Sequence, residues 1–541
     1  MKKRTLLALG LVAVMIGSLT ACGGGGGQST TAAPAAAPAA TTAAAAPAAA
    51  PAAAPAAAET TAAAPAGESA KDTLVIALTS EPPSLTTCDH DSLISVNFNM
   101  MTYNGLTRID NATLQPVLDL ASEYKVENDV DWIFTLKKGV KFQNGEELTS
   151  ADVVASLEAA KANPASVNYT KNWESITAVD DYTVKITTPG PYANVLADLG
   201  YHFNWILPKS LIESGNDFNL NPVGSGPYKL VEWVSGDHLK FEAYEDYFDT
   251  ERKAKIKNLE FRVIPEGASR AMALEAGEVD FVWELNSADA ANLFANSDVT
   301  VEQVDSVDNV ILFLNNDTGF TDVNLRRAIA AGINRQNIID GALSGYGVPN
   351  YTSISQGYPG STNKDQIEYD IDKAKEYMTA WGGDPASVSL NILVTNETRV
   401  AIATIIQAEL ANLGINVTVE SMDTATYFDK WAAGDYDAVI ASWSPANDLT
   451  YINRYSLTRR QQYAGSYNNP EMDALIADAA STLDEAARTE KIQNIVATVN
   501  QDAPQISLYQ SVWLRAHNAK VQGVILSGTG YTSWNEMYWT E

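Results

Sequence analysis

Between residues 388 and 443 short apolar runs alternate with helix-like segments, and this alternation constrains the fold more than any other feature. Val388–Val394, Ile415–Glu420 and Tyr436–Trp443 predict strands; Arg399–Leu413 and Thr424–Ala433 predict the helices between them. Such a pattern argues for parallel β-α-β units in an open sheet. The first half reads differently. Thr73–Leu78 predicts a buried strand ended by Glu81-Pro82-Pro83, while residues 131–136 and 181–187 alternate like half-buried strands. Between them Thr149 predicts the N-cap of a helix with Asp152 at its third position.

The chain has 541 residues, enough for two to four domains, with 36 Lys and Arg against 66 Asp and Glu, a formal charge of −30. A surface this acidic argues against nucleic-acid binding, which needs a basic patch. Two cysteines exclude a disulfide framework and a Cys-based structural zinc site. After residue 22 no apolar run reaches the roughly 18 residues of a membrane helix. Lys2, Lys3 and Arg4 followed by the apolar Leu6–Leu19 predict an export leader. Residues 23–71 are almost entirely Gly, Ala, Pro and Thr, too poor in apolar surface to offset the entropy of ordering. They predict a tether that reaches on the order of 150 Å extended, or about 40 Å as a coil.

Several segments together resemble one family. They are Tyr103-Asn-Gly-Leu-Thr-Arg108, Pro116–Ala121, Trp132–Gly145, Leu148–Val153 and Pro222-Val-Gly-Ser-Gly-Pro-Tyr228. Gly277-Glu-Val-Asp280, Asp322–Ile329, Gly434-Asp-Tyr-Asp437 and Tyr467–Asp473 follow in the same order. Over about residues 73–520 the chain resembles the family-5 extracytoplasmic solute-binding proteins, the oligopeptide, dipeptide and nickel receptors of ATP-binding-cassette importers. Leu19-Thr-Ala-Cys22 likewise resembles a bacterial lipobox, whose cysteine is acylated. The implied fold is α/β: the large, three-subdomain, type II periplasmic-binding-protein arrangement, with two hinge-linked lobes around a ligand cleft. Lobe I is expected over 72–111, 222–305 and 505–541, with a subdomain inserted at 112–221, and lobe II over 306–504. The hinge is expected near Val307–Leu314 and Pro504–Gln510. Read from the residues alone, most of these motifs are structural. Gly224-Ser-Gly-Pro-Tyr228 predicts a tight turn with glycines at positive φ, Gly277 a helix-to-strand turn, and Arg326 and Arg327 helix-borne ion pairs.

Peptide receptors of this family end the last β-α-β strand in Trp-x-x-Asp, whose acid pairs with the peptide's α-ammonium. Here Trp443 is followed by Ala446 where that acid is expected, and Asn447 and Asp448 come next. Asp448 is a candidate substitute. Thr424 stands where some members carry a stacking Trp, with Tyr427 three residues on, and Arg399 lies near where dipeptide receptors hold the ligand carboxylate. The candidate ligand contacts are therefore Trp443, Ala446, Asn447, Asp448, Arg399 and Tyr427, with Cys22 the lipidation site. A buried unpaired ammonium is costly, so the missing acid raises blocked peptides or oligosaccharides as alternatives to free peptides. Cys88-Asp-His-Asp91 reads as a polar loop rather than a metal site. No catalytic residue, metal or cofactor is expected, because Gly-x-Ser-x-Gly, His-Glu-x-x-His and Gly-Lys motifs are all absent. The expectation is a monomeric, lipid-anchored capture protein on the outer face of the cell membrane that delivers a solute to a separate permease and ATPase. A surface hydrolase or a permease-free sensor is the reading from another class.

Overall fold

The structure is a computed structural model that describes residues 69–87, 92–444, 452, 453, 455, 467 and 469–541. The leader, the tether up to residue 68, Cys22, the Cys88–Asp91 loop and the Ala446, Asn447 and Asp448 positions lie outside the described residues. No described helix is long and apolar enough to cross a membrane.

One mixed sheet of eleven strands organises the molecule. At one end Asn416–Ser421, Ser389–Val394 and Ala438–Trp443 run parallel, as their alternation with helices predicts. At the other end Thr73–Leu78 pairs in parallel with Asn258–Val263, which continues antiparallel into His238–Ala243 and Tyr228–Val234. Two long antiparallel strands, Val299–Leu314 and Gln505–Asn518, join the two ends. In Val299–Leu314 the first seven residues are at most half-buried and the last nine mostly sealed, so the strand passes from an open region into a core. A register shift between Asp305 and Asn309 marks the passage. A separate antiparallel sheet, Ala121–Glu127, Asp131–Leu136, Thr183–Thr187 and Ser175–Asp180, closes its own core over Trp132, Phe134 and Leu157.

Local chemistry sets the ends of these elements. The Thr149 amide and hydroxyl both donate to Asp152 Oδ2 at 2.9 Å, locking the start of helix Ser150–Ala162. Helix Thr424–Ala433 is capped by Asp423 and ends at Gly434, whose φ of +75° is the left-handed C-cap. From that turn Asp437 reaches back, its Oδ2 accepting from the Asn391 amide at 3.0 Å, and pins two parallel strands together. Gly277, at φ +72°, turns helix Gly267–Glu275 toward strand Phe281–Val282 as expected.

Two expectations need correction. Gly224 and Gly226 do not sit at positive φ. They are glycines because a Cβ there would meet the Thr102 and Met101 carbonyl oxygens at 2.0 and 2.4 Å. Arg326 and Arg327 are anchored by main-chain carbonyls, of Asp502, Phe320 and Thr321 for the first and Gln501 for the second. Those acceptors satisfy a planar guanidinium without a carboxylate partner.

Candidate functional site

The motif segments that are remote in sequence meet at one place. Gln143 Nε2 donates to the carbonyls of Tyr228 and Gly226 at 2.8 and 3.2 Å, and its Oε1 accepts from the Gly224 amide at 3.3 Å. Ser225 donates to Asn104 Oδ1 at 3.1 Å, and Asn104 Nδ2 donates to Asp119 Oδ2 at 2.8 Å. Asp119 is buried and takes an ion pair from Arg252, which also donates to Tyr247 Oη at 3.1 Å and to Asp249 at 2.7 Å. Burial disfavours the Arg252 charge, but the Asp119 carboxylate, with Tyr247 and Asp249, more than offsets it, and its pKa is raised. The same burial, reinforced by Asp119, pushes the Tyr247 phenol up.

This network is the floor of a cavity of about 650 Å³. Helix Leu93–Thr102 supplies an apolar strip through Val96 and Met100, and Arg108 and Asp110 form an ion pair of 3.3 Å on the same side. Burial raises the Asp110 carboxyl, yet hydrogen bonds from Thr113, Arg108 and Ala112 prevail and hold it below the usual range. One wall is aromatic: Tyr169 stacks on Tyr201 with ring centroids 4.1 Å apart, and His202 and Trp205 follow. Across the cavity stand Val307 from the long strand, Trp443 and Ser444 from the parallel end of the sheet, and Tyr358 from the loop before helix Ile371–Trp381. Trp443 and Ser444 end the last parallel strand, at the carboxyl edge where open α/β sheets bind ligands.

The expected ligand residues divide. Trp443 lines the cavity, half-buried and packed against the apolar groups around Val307 and Tyr358. Arg399 does not open its helix. Asn396 caps it, accepting from the Arg399 amide at 3.0 Å, so that Arg399 is the third residue of Glu397–Leu410. Its half-buried guanidinium donates to Thr395 Oγ1 at 2.9 Å and acts electrostatically on Asp308, Tyr427 and Tyr509. Tyr427 is fully buried, and its hydroxyl donates to the Ile440 carbonyl at 2.8 Å, so it braces the strand behind Trp443 and does not line the cavity.

The structure adds residues that sequence reasoning passed over. Asp308 lies on the long strand beside Val307, its carboxylate bridging Ser444 at 2.8 Å and Ser511 at 3.2 Å. An acid two residues before the apolar run Val310–Leu314 was the available signal. For the aromatic wall it was the density of rings in Tyr201-His-Phe-Asn-Trp205. Among the described residues no group of three or more His, Cys, Asp or Glu side chains is placed to hold a metal ion.

Comparison with known proteins places this architecture. A probable D,D-dipeptide-binding periplasmic protein of Escherichia coli is 29% identical over 488 residues, 84% of this chain and 92% of its own length. The structure of HbpA2 from Haemophilus parasuis superposes with a TM-score of 0.78 at 22% identity, covering 87% of this chain and all of the other. An oligopeptide-binding protein of Bacillus subtilis, solved with a nonapeptide, superposes with a TM-score of 0.69 at 23% identity, over 88% of this chain and all of the other. The fold is thus the two-lobed α/β fold of periplasmic binding proteins. Residues 115–465 match the family model for the middle region of bacterial extracellular solute-binding proteins, family 5. The chain belongs to this family of extracytoplasmic solute-binding proteins, which serve transport and are not enzymes.

Proposed function

We propose that this protein captures a peptide between two lobes and hands it to the permease of an ABC importer, held at the membrane by a lipid on Cys22. Lobe I comprises 72–111, 222–305 and 505–541 with 112–221 inserted, and lobe II comprises 306–504. The permease and its ATPase are separate chains, and the capture protein works as a monomer. The observation that carries the reading is the cavity lined from both sides, by Met100, Tyr201 and Trp534 on one and Val307, Tyr358 and Trp443 on the other. Its volume, about 650 Å³, suits a small solute. A solute that touches both lobes binds the closed state better than the open one, and this differential affinity drives closure without covalent chemistry. The peptide reading draws on relatives described as binding dipeptides and a nonapeptide.

Oligosaccharide capture is the second reading, favoured by the stacked Tyr169–Tyr201 wall, since sugar faces pack on aromatic rings. Thermal unfolding of the full chain against free-amino peptides, N-blocked peptides, oligosaccharides and nickel separates the two. A true ligand at a hundredfold above its Kd adds about 2.7 kcal/mol of stability. Stabilisation by peptides supports the first reading, and stabilisation by sugars alone replaces it with the second.

A further inference from the structure

We infer that Asp308, on the long strand that joins the two ends of the sheet, is the acid that receives the cationic amino group of the solute. The inference rests on the peptide reading and supplies what the loop after Trp443 lacks at Ala446. Asp308 lies where the strand leaves its regular register, just before the Asn309–Trp443 and Asn309–Gln510 pairs, and Ser444 and Ser511 each donate one hydrogen bond to a different carboxylate oxygen. A carboxylate has about four acceptor positions, so two stay open. No lysine, arginine or histidine among the described residues stands within ion-pair distance of it. Arg399 acts on it electrostatically, and that guanidinium donates one hydrogen bond, to Thr395, among the described residues.

Position completes the argument. Ser444 and Val307, the groups flanking Asp308, both line the cavity, so an ammonium resting on Ser444 is next to the carboxylate. Burial pushes the Asp308 carboxyl above the ordinary aspartate range, a cost that an arriving cation removes. The acids that line the cavity are already committed: Asp110 to Arg108, Asp119 to Arg252 and Glu536 to Lys255. Asp308 adjoins the lining through Val307 and Ser444 without belonging to it, and it has no ion-pair partner among the described residues.

The test measures binding of two probes to the full chain at neutral pH: a library of tri- to pentapeptides with free amino termini, and the same library after N-acetylation. In Asp308→Asn, affinity for the free-amino library should fall about tenfold or more, the effect of losing a charged hydrogen-bond partner, with binding of the acetylated library little changed. Ser444→Ala, which removes only one supporting hydroxyl, should give a smaller loss of the same selectivity. If the asparagine variant does not fold, this serine variant alone decides: loss confined to free-amino peptides upholds the inference, and no selective loss overturns it. Undiminished free-amino binding in Asp308→Asn, or a selective loss found in Asp448→Asn instead, overturns Asp308 and leaves peptide capture standing. If the wild-type chain binds neither library, the peptide reading and this inference fall together.

Discussion

The floor and the far rim of the cavity treat charge in opposite ways. On the floor Asp119 and Arg252 are paired, and Asn104, Tyr247 and Asp249 take up further hydrogen-bonding capacity. At the rim, next to the lining residues Val307 and Ser444 but outside the lining itself, Asp308 is half-buried and within electrostatic reach of the half-buried Arg399 without being paired to it. A buried charge without a partner is expensive, so a network satisfied in advance belongs to the scaffold. Groups left open belong to whatever arrives. The contrast teaches that charge lining a cavity is not evidence of ligand contact until its existing partners are counted.

The comparison breaks most visibly at the floor. Gly224→Ala places a methyl carbon 2.0 Å from the Thr102 carbonyl oxygen, and backbone cannot yield as a side-chain tip would. We expect a loss of roughly 3 kcal/mol or more, read from urea unfolding. Asp119→Asn should cost less. Removing one partner of a buried pair is worth about 3–5 kcal/mol, but Arg252 is a quarter exposed and keeps Asp249, so about 2 kcal/mol is expected. An unchanged unfolding midpoint for Asp119→Asn would abolish the distinction between floor and rim.

At the rim the effects should appear in binding rather than folding. Arg399→Gln should leave stability within about 0.5 kcal/mol. It should weaken peptides with a free carboxylate about tenfold relative to their C-terminal amides, measured by calorimetric titration. Equal loss for both would make Arg399 scaffold. The smallest effect is in the unliganded chain. Because burial raises the Asp308 carboxyl in the folded state, the folded protein holds its proton at a pH where the unfolded chain has lost it. Its ionisation therefore costs stability as pH rises from the ordinary aspartate value up to that raised value, and the cost is relieved as pH falls back through the same window. Asp308→Asn should accordingly be more stable than wild type near pH 7, with the advantage shrinking as pH falls toward the ordinary aspartate range. A gap that does not move with pH would show that Asp308 carries no burial cost.

Much of the fold was legible because it depends on local periodicity. The helix Thr424–Ala433 lies where the sequence predicts it, and strand Ser389–Val394 is within one residue of its predicted start, because apolar spacing and caps such as Asp423 and Gly434 are short-range signals. Long-range approach was not legible. The glycines of Gly224-Ser-Gly226 read as turn residues, yet their need for no side chain comes from Met101 and Thr102, more than 120 positions away. Tyr427 read as a ligand contact from its place after Asp423, whereas only the fold shows its hydroxyl turned to Ile440.

By itself the sequence determined the parallel β-α-β units, the family order of motifs and the absence of an acid at Ala446. These rest on residue type and spacing within one segment. Only the tertiary structure decided which charges were already spent. Whether Asp308 has a partner depends on Ser444 and Ser511, brought beside it by two different strand pairings. Such pairings come from packing across the whole sheet, and a linear pattern holds no record of them.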